Sequence, residues 1–318
     1  MNFQDLNKVE SYQFYLDVAL RKASKKLDEK RSGLKASNIG KSKQLEQIRV
    51  ELVHEYLTNA LTRILVSFPS ISELPMFYQQ MIKNSIDFVT LKQSLGALNW
   101  ANKKIKDMFR NYHSKIRNTQ DITKVNSYRR EFVGRISSLM KQIKQPLIFL
   151  EESRRIMKEF PTIKTSVRTV SIVGFPNVGK TTLLFRLTGS KPEINDYPFT
   201  TKGINVSYIK DGRNKIQVLD TPGTLNRFEK MNSIEKQAFL AVKYASDELV
   251  YVFDLTECYP LKDQIKLYKN LKLLKKPIII YLSKTDILPK EAVDSFEIKG
   301  NIVKNADELK EILLKQQI

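Results

Sequence analysis

The chain has 318 residues, of which 42% are hydrophobic, so we expect two folded domains rather than one. No apolar run approaches the length of a membrane span, and the first residues lack the apolar stretch of a signal peptide. The single cysteine, Cys258, can form no internal disulfide. These features exclude a membrane-spanning or disulfide-stabilised protein, and they predict a cytoplasmic one.

The net charge of +20 is spread unevenly along the chain. Residues 1–168 contain 31 Lys+Arg and 16 Asp+Glu, whereas residues 169–318 contain 23 and 18. The first half is therefore the basic one. Such an excess of positive charge attracts polyanions, either nucleic acid or an anionic membrane surface, and charge alone does not choose between them.

Residues 1–162 have the pattern of a basic helical bundle. From Tyr12 to Met157 the apolar residues recur at helical spacing. We place breaks near Gly40, at Phe68–Ser70 and within 117–126, which leaves four or five helices. The last helix is predicted over 125–158, with a kink at Pro146.

Residues 163–318 change from the helical period to short β-branched runs. The first run, 167–173, is followed by a glycine loop and a helix that begins near Lys180. Later runs at 204–209, 216–219, 249–253 and 278–282 alternate with helical stretches at 235–244 and 263–274. This order predicts an α/β domain with a mostly parallel sheet covered by helices, so the fold class is α + α/β.

The segment Gly174–Thr181 matches the phosphate-binding pattern G-x-x-x-x-G-K-[ST] between a predicted strand and a predicted helix. Glycines allow backbone amides to surround phosphates, Lys180 neutralises them, and Thr181 offers a hydroxyl to Mg²⁺. We therefore predict a nucleotide site in this loop. Its candidate residues are Gly174, Phe175, Pro176, Asn177, Val178, Gly179, Lys180, Thr181 and Thr182.

Two further segments are candidates for the loops that close around the γ-phosphate. Asp220-Thr221-Pro222-Gly223 follows a strand, where the carboxylate could hold hydrated Mg²⁺ and the Gly223 amide could meet the phosphate. Between this segment and the phosphate loop lie Phe199, Thr200 and Thr201. Either threonine could close on Mg²⁺, and the spacing does not decide which.

Base recognition is predicted at Ser283-Lys284-Thr285-Asp286, which follows another strand. The Asp286 carboxylate can accept two hydrogen bonds from guanine, a pattern that adenine does not offer, and the Lys284 stem can cover the ring. GTP and GDP are therefore favoured over ATP. The usual first residue of this motif is asparagine, which Ser283 replaces. Lys299-Gly300 is either the last base-contacting loop or an ordinary loop.

Together these motifs resemble the Obg-like GTPases, and within them the nucleolar GTP-binding (Nog) family. The resemblance covers nearly the whole chain. In the second half it rests on GFPNVGKTTLL (174–184), DYPFTTKG (196–203) and the segments 220–238 and 249–257. In the first half it rests on 68–82, 91–105 and 129–155, which precede the GTPase motifs in the family's own order.

The resemblance implies a GTPase that converts GTP to GDP and phosphate, slowly in the absence of a partner because Thr224 stands where Ras-like enzymes have glutamine. It assigns the switch threonine to Thr201, which joins Thr181 and Asp220 as the Mg²⁺ group. With Lys180 and Gly223 these groups form the expected catalytic set. Asn177 completes it if it holds K⁺ as in potassium-stimulated relatives; otherwise Asn177 only shapes the loop.

The resemblance further implies an assembly factor for the large ribosomal subunit, in a compact archaeal form and as a monomer. The basic bundle would dock on ribosomal RNA, and ribosomal proteins or other assembly factors are further expected partners. Two alternatives remain: a membrane-surface regulatory GTPase, although stable membrane association is not expected, and a nucleotide-binding scaffold with little turnover. The candidate RNA-binding residues are Lys103, Lys104, Lys106, Arg110, Arg129, Arg130, Lys141, Lys144, Arg154 and Arg155.

Overall fold

A computed structural model describes residues 3–31, 37–189, 204–212, 214–222, 233–256 and 259–315. The chain divides into two compact units. The helical unit lies within Asn2–Glu73 and Ile82–Glu159, and the sheet unit comprises Leu74–Met81 together with the described residues from Phe160 onwards. The predicted residues Phe199, Thr200, Thr201, Gly223, Thr224 and Cys258 lie outside the described residues.

The helices of the first half span α1 (Tyr12–Arg31), α2 (Asn38–Ser67), α3 (Met76–Ser85), α4 (Phe88–Asn118), α5 (Ile122–Gln142) and α6 (Lys144–Lys158). The apolar stripes of the long helices form the core of the helical unit, because one face of each long helix is buried while the opposite face carries charge. On α2 and α4, which pack against each other, the buried positions include Leu57, Leu61, Leu91, Leu98 and Ile105.

Two helix boundaries differ from the sequence-based prediction. The single helix expected over 125–158 is two helices, separated at Ile143 (φ −91°, ψ 14°). Pro146 does not kink a helix but lies in the first turn of α6, where its missing N–H has no intrahelical acceptor. Gly40, predicted as a break, lies inside α2. The unpredicted start of α4 is capped by the Asp87 side chain.

Among the described residues of the sheet unit, six strands form one sheet in the order β2-β3-β1-β4-β5-β6. All pairs are parallel except β2 with β3. The strands are β1 (Thr169–Val173), β2 (Asn205–Asp211), β3 (Asn214–Asp220), β4 (Glu248–Asp254), β5 (Ile278–Ser283) and β6 (Asn301–Val303). The helices are α7 (Lys180–Thr188), α8 (Ser233–Tyr244), α9 (Leu261–Lys272), α10 (Lys290–Asp294) and α11 (Ala306–Lys315).

The sheet carries the core of this unit and confirms the predicted fold class. Strands β1 and β4 are buried along their whole length, as expected for central parallel strands with helices on both faces. Tyr78 belongs to this unit: its buried hydroxyl accepts a hydrogen bond from Ile163 N at 2.9 Å and lies 3.0 Å from Ile163 O. Burial raises the pKa of Tyr78 to about 12.

Among the described helices of both units, none combines the length and the apolar character needed to cross a bilayer. The long helices of the bundle instead alternate buried apolar and exposed charged faces.

Candidate functional site

The phosphate loop follows the carboxyl end of β1 and leads into α7, as predicted. Gly174 has no room for a side chain, because a Cβ there would lie 2.7 Å from Val252 O. Gly179, at the amino end of α7, has φ +91°, and Asn177 has φ +60°. Both conformations lie in the left-handed region that glycine and asparagine tolerate best. The loop geometry therefore accounts for these three residue types at their positions.

The Lys180 side chain is folded into the loop and only 7% exposed. Its ammonium group donates a hydrogen bond to Phe175 O at 2.6 Å. Burial lowers the pKa of Lys180 to about 8, and the nearby Asp220 carboxylate only partly opposes that shift. Within the described residues this buried ammonium group has one hydrogen-bond acceptor, a carbonyl, and a bound anion would compensate for its lost hydration.

Asp220, at the end of β3, lies beside the first turn of α7. Its Oδ2 accepts hydrogen bonds from Thr181 Oγ1 at 2.6 Å and from Asn205 Nδ2 at 3.2 Å. Its Oδ1 is buried and has no hydrogen-bond partner within the described part of the chain. Burial raises the pKa of Asp220, although Thr181, Lys180 and Asn205 act against it. The structure thus brings two of the predicted Mg²⁺ residues, Thr181 and Asp220, into contact.

The turn after Asp220 is fixed to the central strand. Thr221 is buried, and both its N–H and its hydroxyl donate to Ile172 O, at 3.3 and 2.8 Å. These bonds hold the start of the D-T-P-G segment level with the end of β1. The following residues, from Gly223, are not described.

Ser283, at the end of β5, lies against the phosphate loop. Its hydroxyl donates to Phe253 O at 3.0 Å, and a Cβ on Gly179 would lie 3.7 Å from the Ser283 Cβ. Ser283 is buried. The side chain that replaces the usual asparagine is therefore bonded to the neighbouring strand within the sheet.

Lys284 is held by a residue that the sequence analysis did not select. Its Nζ donates to Asp254 Oδ2 at 2.6 Å, and its backbone is left-handed (φ 54°). Asp254 is 1% exposed, and its Oδ1 accepts from both the N–H and the hydroxyl of Thr256. Burial alone would raise the pKa of Asp254, but the bonds from Lys284 and Thr256 lower it below its ordinary value. The carboxylate therefore stays charged and fixes the lysine.

Asp254 could have been predicted from its position in the sequence, because Asp254 ends β4 just as the predicted residue Asp220 ends β3. Asn205 could not have been found in this way, because it begins the one antiparallel strand and faces Asp220 only through that pairing. Both residues carry a polar group into the predicted site.

The other residues predicted to contact the base, Asp286 and Lys299-Gly300, lie in two different places. Asp286 lies exposed on a short 3₁₀ turn, Thr285–Ile287, directly after Lys284. Lys299 and Gly300, however, precede β6, which runs parallel to β5, so they lie at the opposite edge of the sheet from the other loops. Gly300 instead packs against β5, where a Cβ would lie 2.8 Å from Ile280 Cδ1. Of the two interpretations of Lys299-Gly300, this position favours the ordinary loop; Lys304-Asn305, after β6, lies at the edge of the sheet where the other predicted loops lie.

The described site residues thus meet at one edge of the sheet, beyond the carboxyl ends of β1, β3, β4 and β5. This is the edge at which α/β proteins bind ligands. A phosphate loop with a buried lysine, a threonine bonded to a strand-end aspartate, and the Ser-Lys-Thr-Asp turn together define a P-loop GTPase.

Comparison with known proteins then identifies the family. Residues 3–164 match the NOG1 N-terminal helical domain, and residues 169–284 match a model described as 50S ribosome-binding GTPase. The chain belongs to the NOG1 family, as the resemblance implied.

Individual relatives agree with this assignment. An uncharacterized protein of Methanocaldococcus jannaschii, MJ1408, is 38% identical over 80% of this chain and 72% of its own length. Nucleolar GTP-binding protein 1 of Saccharomyces cerevisiae is 29% identical over 92% of this chain and 46% of its own length. The chain therefore spans about half the length of these nucleolar relatives. An Era structure from Aquifex aeolicus shares 30% identity over 47% of this chain and 56% of its own, with a TM-score of 0.38.

Proposed function

We propose that this GTPase is an assembly factor for the large ribosomal subunit, with a basic helical unit that docks on ribosomal RNA and a sheet unit that acts as a GTP-dependent switch. One observation carries the proposal: a single chain combines the phosphate loop with a helical surface on which six of the ten candidate cations are exposed and form no ion pair within the described residues. The description of the matched GTPase family as 50S ribosome-binding supports it. We place the protein in the cytoplasm and expect a monomer, with ribosomal proteins or other assembly factors as additional partners.

The nucleotide is GTP or GDP with Mg²⁺. The unpaired Asp220 Oδ1 beside the Thr181 hydroxyl fits a hard cation, which prefers oxygen ligands. Thr181, Asp220 and Thr201 would hold the ion. When bound, Mg²⁺ neutralises charge on the β- and γ-phosphates. Asn177 is our candidate for an additional K⁺ site, and equal turnover in sodium and potassium would exclude that role.

The residues of the chain supply the remaining chemistry of hydrolysis. The backbone amides of Gly174–Thr181 surround the phosphates, and the Lys180 ammonium group exchanges its carbonyl acceptor for phosphate oxygens. The γ-phosphate orders Thr201 and Gly223, and its departure releases them, which is the switch. Because Thr224 cannot orient water as glutamine does, we expect slow turnover in isolation.

Asp286 selects guanine, while Lys284, held by Asp254, covers the ring. The exposed position of Asp286 suits two hydrogen bonds to a ligand that arrives from solvent. Asp286→Asn should relax the preference for GTP over ATP. Equal competition by ATP against the unmodified chain would reject guanine specificity.

The RNA-binding surface is narrower than the sequence suggested. Arg154 is only 12% exposed and pairs with Glu151 through two bonds of 2.7 Å, so it is a structural residue. Arg155 also contacts Glu151, and Arg129 lies 4.0 Å from Glu46. Four of the ten candidate cations, Arg110, Arg129, Arg154 and Arg155, therefore have a carboxylate within 4.0 Å. Of the ten, those that are exposed and form no ion pair within the described residues are Lys103, Lys104, Lys106, Arg130, Lys141 and Lys144.

Sedimentation of cell extract tests the proposal directly. The chain should travel with large-subunit particles when loaded with a non-hydrolysable GTP analogue, and less so with GDP. Lys180→Met should abolish this nucleotide dependence. Co-sedimentation with membranes instead would favour the membrane-surface alternative. Turnover that particles do not stimulate would favour the scaffold.

A further inference from the structure

A groove in the helical unit combines the only tryptophan of the chain with two cations. Trp100 is 42% exposed although it is a large aromatic residue. It lines a groove of about 410 Å³ between α4 and α5, together with Lys104, Met108, Gly134, Arg135 and Gln142. That volume lies within the range of about 300–1,000 Å³ typical of ligand pockets.

The helical spacing explains how the groove is built. Trp100, Lys104 and Met108 are four residues apart and therefore follow one another along one face of α4. Gly134 and Arg135 lie opposite on α5. Trp100 thus lies at one end of the groove, and Lys104 follows one turn further along α4.

Gly134 keeps the groove open. It lies inside α5, where glycine is a poor helix former, and a Cβ there would meet no atom within 4 Å. Packing therefore does not require glycine at this position. Because Gly134 lines the groove, a longer side chain would instead occupy part of its open space.

The charges around the groove favour an anionic ligand. Lys104 and Arg135 are the ionisable residues that line it, both are exposed, and neither forms an ion pair with any carboxylate of the described chain. Arg135 lies over the Tyr112 ring, 5.9 Å from its centroid, so it stands further along the groove from Trp100 than Lys104 does. An aromatic face followed by cations along one groove suits a base and the phosphates that follow it along a strand.

We propose that this groove binds an unpaired nucleobase of RNA, stacked on Trp100, with neighbouring phosphates held by Lys104 and Arg135. The inference rests on the proposed RNA-docking function and names its contact site. A base in a duplex is already stacked on both faces, so the groove should select single-stranded segments.

Because the chain has one tryptophan, its intrinsic fluorescence reports on the groove directly. The full chain is titrated with a short single-stranded RNA and with the same strand annealed to its complement. We expect saturable quenching by the single strand and about tenfold weaker binding of the duplex. Absence of quenching, equal quenching by both RNAs, or quenching by polyglutamate alone would overturn the inference.

Two matched pairs of variants locate the effect. Gly134→Leu should weaken single-strand binding about tenfold without loss of helix content, whereas Ser24→Leu, at an exposed α1 position that does not line the groove, should not. If both variants behave alike, the groove is not the site.

The second pair consists of two double variants, each of which removes two positive charges. Lys104→Gln with Arg135→Gln should lower the log–log salt slope by about 1.4, or about 0.7 per contact for single strands. Arg21→Gln with Lys25→Gln, on exposed α1 positions outside the groove, should leave the slope unchanged. Equal slopes for the two double variants would contradict phosphate contacts at the groove.

Filter retention of intact ribosomal RNA separates the two levels of the proposal. If the chain retains that RNA but single strands do not quench Trp100, the groove inference fails and the docking function stands. If the chain binds no ribosomal RNA or particle, the proposed function fails even where short RNAs quench Trp100.

Discussion

The two units carry charge in opposite ways. In the sheet unit, Lys180 and Asp220 are buried with incomplete pairing, so burial lowers the pKa of the lysine to about 8 and raises that of the aspartate. In the helical unit, burial also acts on Glu151, but bonds from Arg154, Val9 N and Arg155 outweigh it and lower its pKa to about 2. The first pattern indicates groups that await a ligand, and the second indicates a structural ion pair.

This contrast shows that the ion-pair partners of each charged residue must be known before that residue is assigned a role in ligand binding. The sequence gives no reason to distinguish Arg154 from Arg130. In the structure, however, Arg154 is fixed by Glu151, whereas Arg130 is exposed and forms no ion pair among the described residues. The phosphate loop can be assigned without this knowledge, because eight consecutive residues determine its backbone geometry. The following predictions test the contrast, from the largest expected effect to the smallest.

Lys180→Met should weaken GTP and GDP binding about 10- to 100-fold, because it removes charge-assisted bonds of about 1.5–3 kcal/mol. Methionine suits the buried position, so the variant should remain folded and should keep its RNA affinity. Fluorescent GDP titration measures the first effect and filter binding the second. The control is Lys243→Met, at an exposed position on α8. Equal losses in both variants would show that burial at 180 has no functional meaning.

Glu151→Gln should destabilise the helical unit by about 2–3 kcal/mol, since its pKa shift from 4.5 to about 2 corresponds to at most about 3.4 kcal/mol of differential interaction, which solvent screening reduces. Glu151 also accepts a bond from Val9 N at 3.0 Å, which anchors the start of the chain. Denaturant unfolding measures the loss. Glu152→Gln, at the adjacent exposed carboxylate, is the matched control.

The same carboxylate sets a pH dependence. Because its pKa is lower in the folded chain, its contribution to stability is fully present above pH 4.5 and is lost as the pH falls towards about 2. The difference in stability between the parent chain and Glu151→Gln should therefore shrink in acid. A constant difference from pH 7 to about pH 2.5 would contradict the ion-pair assignment.

The fold was largely predictable because periodicity changes sharply near residue 163 and five of the six described strands coincide with the five predicted β-branched or apolar runs. The short β6 was missed, since three residues give no periodic signal. The antiparallel direction of β2 could not be predicted from β-propensity, which does not report strand direction. The break between α5 and α6 at Ile143 was not predicted, because Pro146 was interpreted as a kink within one helix rather than as a residue in the first turn of a new helix.

The candidate site was predictable where function follows from consecutive residues, as at Gly174–Thr181. It was not predictable where a contact joins distant strands. Asp254 meets Lys284 only because β4 and β5 pair with Asp254 level with Ser283. The position of Lys299-Gly300 was not predictable for the same reason. Whether a loop precedes or follows its strand decides at which edge of the sheet the loop lies.

Asp254→Asn should weaken guanine-nucleotide binding about 5- to 10-fold, because the charge-assisted bond that positions Lys284 is lost while Lys284 remains partly solvated. The loss should not add to that of Lys284→Met, since both changes remove one interaction. Nucleotide titration of the two single variants and the double variant measures the coupling. Asp263→Asn, at an exposed carboxylate on α9, is the control. Additive losses would show that Asp254 acts independently of the lysine.

The smallest effect concerns the exposed cations of the helical unit. Charge reversal at Arg130, Lys141 and Lys144 should lower the salt slope of ribosomal-RNA binding by about 2–3, at about 0.7–0.9 per phosphate contact, while leaving stability and GTP binding unchanged. Charge reversal at Arg154 should do the opposite: it should destabilise the unit through Glu151 and leave the slope unchanged in the folded fraction. Filter binding at several salt concentrations, with unfolding curves on the same samples, separates the outcomes. If Arg154 changes the slope as much as the exposed set, ion pairing does not distinguish structural from RNA-binding cations, and the contrast between the two units must be abandoned.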